Sequence, residues 1–229
     1  MINIRGENME KELFDILPER KREVLLHYEK TLLSPLSEAE YVFSDDDDVD
    51  VDIVIMAPGE DFPYYTISTV GLSNYKFNTE LARNELTIVM PENYSTNLDK
   101  KENAWPVMLL REIIYGAVVN HIHFELNKIY LSSFKSDELD CIGGIVVIPE
   151  LMNMDFIDEK IDYDYTRFFL FVPLSEEQID KAEDVGIKRF IEFDLHDING
   201  PDMVAKYTPP QVNSKLQKMI EHNERNLKK

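Results

Sequence analysis

The chain has 229 residues, 44% of them hydrophobic and 30% charged, enough to bury the core of one large domain without disulfide or metal staples. Its 44 acidic residues against 24 basic ones leave a formal charge of −20, which repels phosphate backbones and anionic membranes and favours basic partners. The single cysteine, Cys141, excludes an intrachain disulfide and any cysteine-built metal cluster within one chain.

In chain order, Glu19 to Leu33 reads as a helix: Val24, Leu25, Tyr28 and Leu32 share one face, and Pro18 suits its first turn. Tyr41 to Ser44 reads as a short strand. Asp45, Asp46, Asp47 and Asp48 are four adjacent like charges, which repel one another in any regular element and predict a loop. From Val49 the period is two, valines to one side and aspartates to the other. Ile53 to Met56 is then apolar on both faces, as in a strand running into the interior of a sheet, and Pro58-Gly59 ends it. Tyr65 to Val70 and Glu85 to Met90 are two further strands. Ala104 to Asn120 is a central packing helix, with Trp105, Leu109, Ile113 and Ala117 at helical spacing.

Ile142 to Ile148 and Phe168 to Val172 are buried strands, each closed by a proline. Ser175 and Gln178 form a capping box between the staple residues Leu174 and Ile179, and Gly186 is placed to end that helix in a left-handed turn. Ile187 to Leu195 reads as one more short helix, or Phe190 to Leu195 as a strand. After breaks at Asn199-Gly200-Pro201 and Pro209-Pro210 comes a polar, basic-ended helical segment. The expected organisation is a domain over 1–200 and an extension over 201–229. The expected fold is α/β (α+β), a mixed central β-sheet flanked by helices rather than a doubly wound nucleotide-binding fold. The opening MINIRGENMEKELFDIL has no continuous apolar stretch of the secretory kind, and no apolar run reaches the ~20 residues of a membrane helix, so a cytoplasmic protein is expected.

Catalytic signatures are absent. Neither glycine pattern for phosphate cradling occurs, and there is no G-x-S-x-G. Gly143-Gly144 sits in an apolar run, where close backbone packing or a bulge explains it. Cys141 precedes a buried strand and reads as structural. His121 and His123 diverge on a helix but would share a face with Glu125 on an extended segment, which leaves a helix-end role and a metal role for the three as alternatives. His196 lies among acids as a loop residue, and His27 and His222 fall in helices without partners. The aspartate run lacks the glycine and spacing of a calcium loop, and reads either as a solvated acidic loop or as a docking patch for a basic partner. Asp61, Tyr64 and Tyr65 extend that alternative: Tyr65 faces a core and Tyr64 water, or both line an interaction surface beside the acidic loop. No cofactor is expected.

The segment from Val51 to Asn78, VDIVIMAPGEDFPYYTISTVGLSNYKFN, resembles the signature of the suppressor-of-fused domain family. REVLLHYEKTL, RNELTIVMPENY, WPVMLLREI, CIGGIVVIPE and FFLFVPLSEEQIDKAEDVG follow the same pattern in the same order, from about Glu23 to Leu195. Where the family often carries a Trp-Gly-His-Thr-type loop, this chain reads VVNHIHFELNKIYLSS. The resemblance spans one domain, so the transcription-factor clamp of the two-lobed animal regulators is not carried over. It implies a non-enzymatic, protein-binding domain similar to single-domain bacterial immunity proteins that neutralise toxins, and the acidic charge suits a basic toxin as the partner. The alternatives are a general regulatory scaffold, or a metal-dependent hydrolase-like enzyme using His121, His123 and Glu125.

Overall fold

A computed structural model describes residues 3–4, 16–44, 46, 48–59, 62–75, 77, 83–132, 141–148, 158–161, 164–195 and 205. Among the described residues nine strands form one sheet: β1 (Asn3–Ile4), β2 (Glu40–Val42), β3 (Asp52–Met56), β4 (Tyr65–Val70), β5 (Arg83–Met90), β6 (Ile129–Leu131), β7 (Cys141–Val147), β8 (Asp158–Ile161) and β9 (Asp164–Ser175). Their order is β1-β2-β3-β4-β5-β9-β7-β6, with β8 paired to β9. Every described pairing is antiparallel except β5 with β9, where Arg83–Thr87 run parallel to Thr166–Leu170.

Alternation lets each strand serve two cores. Val49, Val51, Ile53 and Ile55 join one apolar cluster, while Val54 and Met56 join the other. The second cluster takes Val24, Leu25, Tyr28 and Leu32 from α1 (Glu19–Leu32) and Ile179 and Ala182 from α3 (Glu176–Val185). The first takes Trp105, Leu109, Leu110 and Ile113 from α2 (Lys101–Val119). The result is the expected mixed sheet covered by helices on both faces.

Several local signals act as read. Ser175 accepts from the Gln178 N–H at 3.3 Å and Gln178 returns a bond to the Ser175 N–H at 2.8 Å, while Leu174 and Ile179 are both buried in one cluster. Gly186 follows the helix with φ +88°, but its ψ of 136° lies outside the left-handed helical region, and a short turn (Ile187–Arg189) continues into π-helical Phe190–Leu195. The strand alternative for Phe190–Leu195 is therefore replaced by a helix. Both readings of the glycine pair hold: the register of β7 shifts between Cys141 and Gly143, and a Cβ on Gly143 would lie 2.4 Å from the Tyr130 carbonyl oxygen.

Other elements differ in extent. α2 starts three residues before Ala104, because its first turn is polar and carries no apolar period. β9 runs through Pro173, which pairs with Gly144. β5 pairs with β9 only as far as Leu170, so beyond it one edge of β9 is open and tolerates a missing N–H. β1, β6 and β8 span only two, three and four residues, too short for a period to show in the sequence. Ala205 is buried in the α2-side core and donates its N–H to the Val89 carbonyl at 2.7 Å.

Candidate functional site

The aspartates divide between structure and surface. Asp50 and Asp52 point away from the valines that alternate with them, toward α1. There the Lys21 amine, 2% exposed, meets Asp50 at 2.5 Å and Asp52 at 2.7 Å. Asp52 also accepts from the Tyr41 hydroxyl at 2.7 Å and the Ser44 N–H at 2.7 Å. Burial pulls the Lys21 amine down, but hydrogen bonds and charge from Asp50 and Asp52 outweigh it and leave the pKa above the usual lysine value. The Tyr41 phenol is pushed well up by burial and by Asp52 beside it.

A second buried carboxylate organises the next turn. Glu85 accepts from the Gly71 and Ser73 N–H groups at 3.1 and 3.0 Å and from the Thr69 hydroxyl. Gly71 has φ +109°, and a Cβ there would lie 2.6 Å from Lys21 Cε, so both polar clusters meet beneath this glycine. Burial raises the Glu85 carboxyl despite these donors. Tyr28 donates to the Thr69 carbonyl at 3.1 Å alongside. Apart from Asp50, whose side chain is 71% exposed, these groups are interior, and their arrangement fixes α1 to β3, β4 and β5. The helical pattern turns Lys21 to water with Arg20, Glu23 and Lys30, and the structure corrects this: Lys21 is buried, because Asp50 and Asp52 on the facing strand approach pair with its amine. Sequence reading missed Glu85, whose only signal was a lone acid inside RNELTIVM.

The loop between β2 and β3 is the exposed counterpart. Ser44 Oγ donates to the Val49 carbonyl at 2.6 Å and accepts from the Asp46 N–H at 3.3 Å, and Asp46 Oδ1 accepts from the Asp48 N–H at 2.8 Å. Asp46 and Asp48 are exposed, whereas Asp45, Asp47 and Asp61 lie outside the described residues. Beside this loop runs α2. Ser44, Asp46, Val49 and Val51 on one side and Arg111, Glu112, Ile114 and Tyr115 on the other line a groove of about 210 Å³. Arg111 ties its walls together by donating to the Phe43 carbonyl at 2.6 Å.

Tyr64 and Tyr65 are not part of that groove. They sit at the far end of the β3–β4 pair, where Met56 faces Thr66, whereas the acidic loop adjoins Asp52 at the near end. Five strand residues separate the two, about 13 Å. The tyrosines also face opposite cores: Tyr64 packs against Phe62 on the α1 side and Tyr65 against Tyr94 on the α2 side. Tyr64 is thus half-buried rather than turned to water, and neither tyrosine lines the groove beside the loop.

His121 terminates α2. With φ +54° it sits at the left-handed position, its N–H reaching the Val118 carbonyl at 3.2 Å and the Ile122 N–H reaching the Ala117 carbonyl at 2.8 Å, the double bond of a Schellman ending. Glu125 pairs with Lys128 at 2.5 Å, and burial holds the His123 imidazole below its usual range. Among the described residues, no group of three or more His, Cys, Asp or Glu side chains is placed to hold a metal ion. His27 is buried and stacks on Phe168 with ring centres 4.0 Å apart, while His196 and His222 lie outside the described residues. No described helix is long and apolar enough to cross a membrane.

This architecture is a mixed-sheet sandwich with buried polar clusters beneath α1 and a small groove beside α2 that carries two acids and one arginine. The suppressor of fused protein (SUFU) family matches residues 47–205, and the chain belongs to that family. Among solved structures, a suppressor-of-fused homologue from Neisseria gonorrhoeae superposes with a TM-score of 0.58 at 13% identity, over 81% of this chain and 92% of that one. A chain of the Sufu–Fu complex gives 0.58 at 13% identity over 84% and 91%. Drosophila Suppressor of Fused gives 0.55 at 13%, over 89% of this chain but 53% of its own. No curated protein sequence matches significantly.

Proposed function

We propose that this chain is a non-enzymatic, cytoplasmic module that binds a basic protein and holds it inactive, as an immunity protein holds a toxin. The observation that carries the reading is the formal charge of −20 on a suppressor-of-fused domain. Such a charge raises encounter rates with basic partners and repels acidic ones. The existence of a related structure solved as a Sufu–Fu complex supports a protein partner over a small molecule. Co-expression with the product of an adjacent gene tests it. A complex that weakens with salt, together with protection of the host cell from that product, is the expected result. Neither complex nor protection would overturn the toxin reading.

A further inference from the structure

The outward face of α2 differs in character from that of α3. From Trp105 to Asn120 the only charged residues are Arg111 and Glu112. Met108, Tyr115 and Val119 fall on one stripe at helical spacing and are 37%, 46% and 50% exposed. Gly116 adds a gap, since a Cβ there would meet nothing within 4 Å. By contrast, α3 turns Glu176, Glu177, Asp180, Lys181, Glu183 and Asp184 to solvent. An apolar helix face on a strongly charged protein is a contact surface rather than a solubility surface.

Its flank carries two acids: Asp46 lines the loop side of the groove and Glu112 the helix side, while the Arg111 guanidinium between them is turned to the Phe43 carbonyl and exposed Asp48 adds to the acidic loop nearby. The groove's 210 Å³ is below the ~300 Å³ at which small-molecule pockets begin, so it suits a single inserted side chain. A second copy of the chain is disfavoured, because a two-fold contact through this face would set the two acidic loops against each other. Resting on the reading of the chain as a binder of a basic protein, we propose that the α2 face and its groove receive an amphipathic helix of the partner. The apolar stripe of that helix would cover Met108, Tyr115 and Val119, and a lysine or arginine beside it would enter the groove between Asp46 and Glu112.

The probe is a fluorescently labelled synthetic amphipathic helix of leucine and lysine, with a leucine–glutamate helix as its counterpart. Tyr115→Glu is compared with Leu26→Glu on α1, a residue of similar exposure at 42%. Gly116→Gln adds bulk to the α2 face and favours the helix, which guards against a folding artefact. The expected result is binding of the lysine helix that falls at least tenfold in Tyr115→Glu and Gly116→Gln, less than twofold in Leu26→Glu, and severalfold in Asp46→Asn. Equal losses at Tyr115 and Leu26, equal binding of the glutamate helix, or a dimer that Tyr115→Glu dissolves would each overturn the assignment. If an adjacent-gene product binds the wild type and Tyr115→Glu alike, partner binding stands and this surface falls. If that product binds neither, the peptide titration still decides the surface by itself.

Discussion

Lys21 holds two carboxylates from β3 and its approach at the cost of being 2% exposed, and Asp52 beside it is as deeply buried. Removing one partner of such a group leaves an uncompensated charge, so Lys21→Met is expected to destabilise by about 3 kcal/mol in urea unfolding. The low end of the usual range applies because Tyr41 and Ser44 still donate to Asp52. The folded amine keeps its proton more tightly than a free lysine. Its contribution is therefore complete below about pH 10.5 and fades as the pH climbs through the raised folded value, an alkaline loss that Lys21→Met should erase. Glu85 has the opposite sign of consequence. Burial raises its carboxyl, so the folded state binds the proton more tightly than the unfolded chain. Stability then falls as pH rises from the ordinary glutamate range through the raised value. Glu85→Gln keeps an acceptor for Gly71 and Ser73 and should show a flatter stability profile than wild type between pH 4 and 8; identical slopes in parallel denaturation series would refute this.

The elements most legible in the sequence were those announced by local chemistry. The Ser175–Gln178 box and the valine–aspartate alternation needed no knowledge of distant contacts, and the structure keeps both. The three-residue β6, Ile-Tyr-Leu, was invisible because three residues are too short to show a period and its strand state comes from pairing with β7. The candidate site divided the same way. The acidic loop was readable as a charge run, but its neighbour, α2, was assigned to the core because its outward residues are as apolar as its inward ones. Nothing local could reveal that Tyr64 and Tyr65 lie at the opposite end of β3 from the loop; that is a matter of strand register. At this scale Gly143→Ala is the sharpest probe. Its methyl would press on the Tyr130 carbonyl and lever β6 from β7, at about 1–3 kcal/mol of stability, with hydrogen exchange accelerated first at residues 129–131.

At the scale of the whole molecule, charge and topology dominate. With 44 acids against 24 bases, association with a basic protein should slow by about 10-fold to 1000-fold between low and molar salt, with dissociation changed far less, in stopped-flow mixing. A rate indifferent to salt would count against electrostatic attraction. The parallel junction has a consequence of another kind. Arg83 must find Thr166, 83 positions later in the chain. On a ribosome adding about 5–20 residues per second, the nascent β2–β5 meander waits on the order of 10 s with its last strand bare along one side. Synthesis itself thus passes through a vulnerable interval, in which a neighbouring polysome's unfinished copy can take the place reserved for β9.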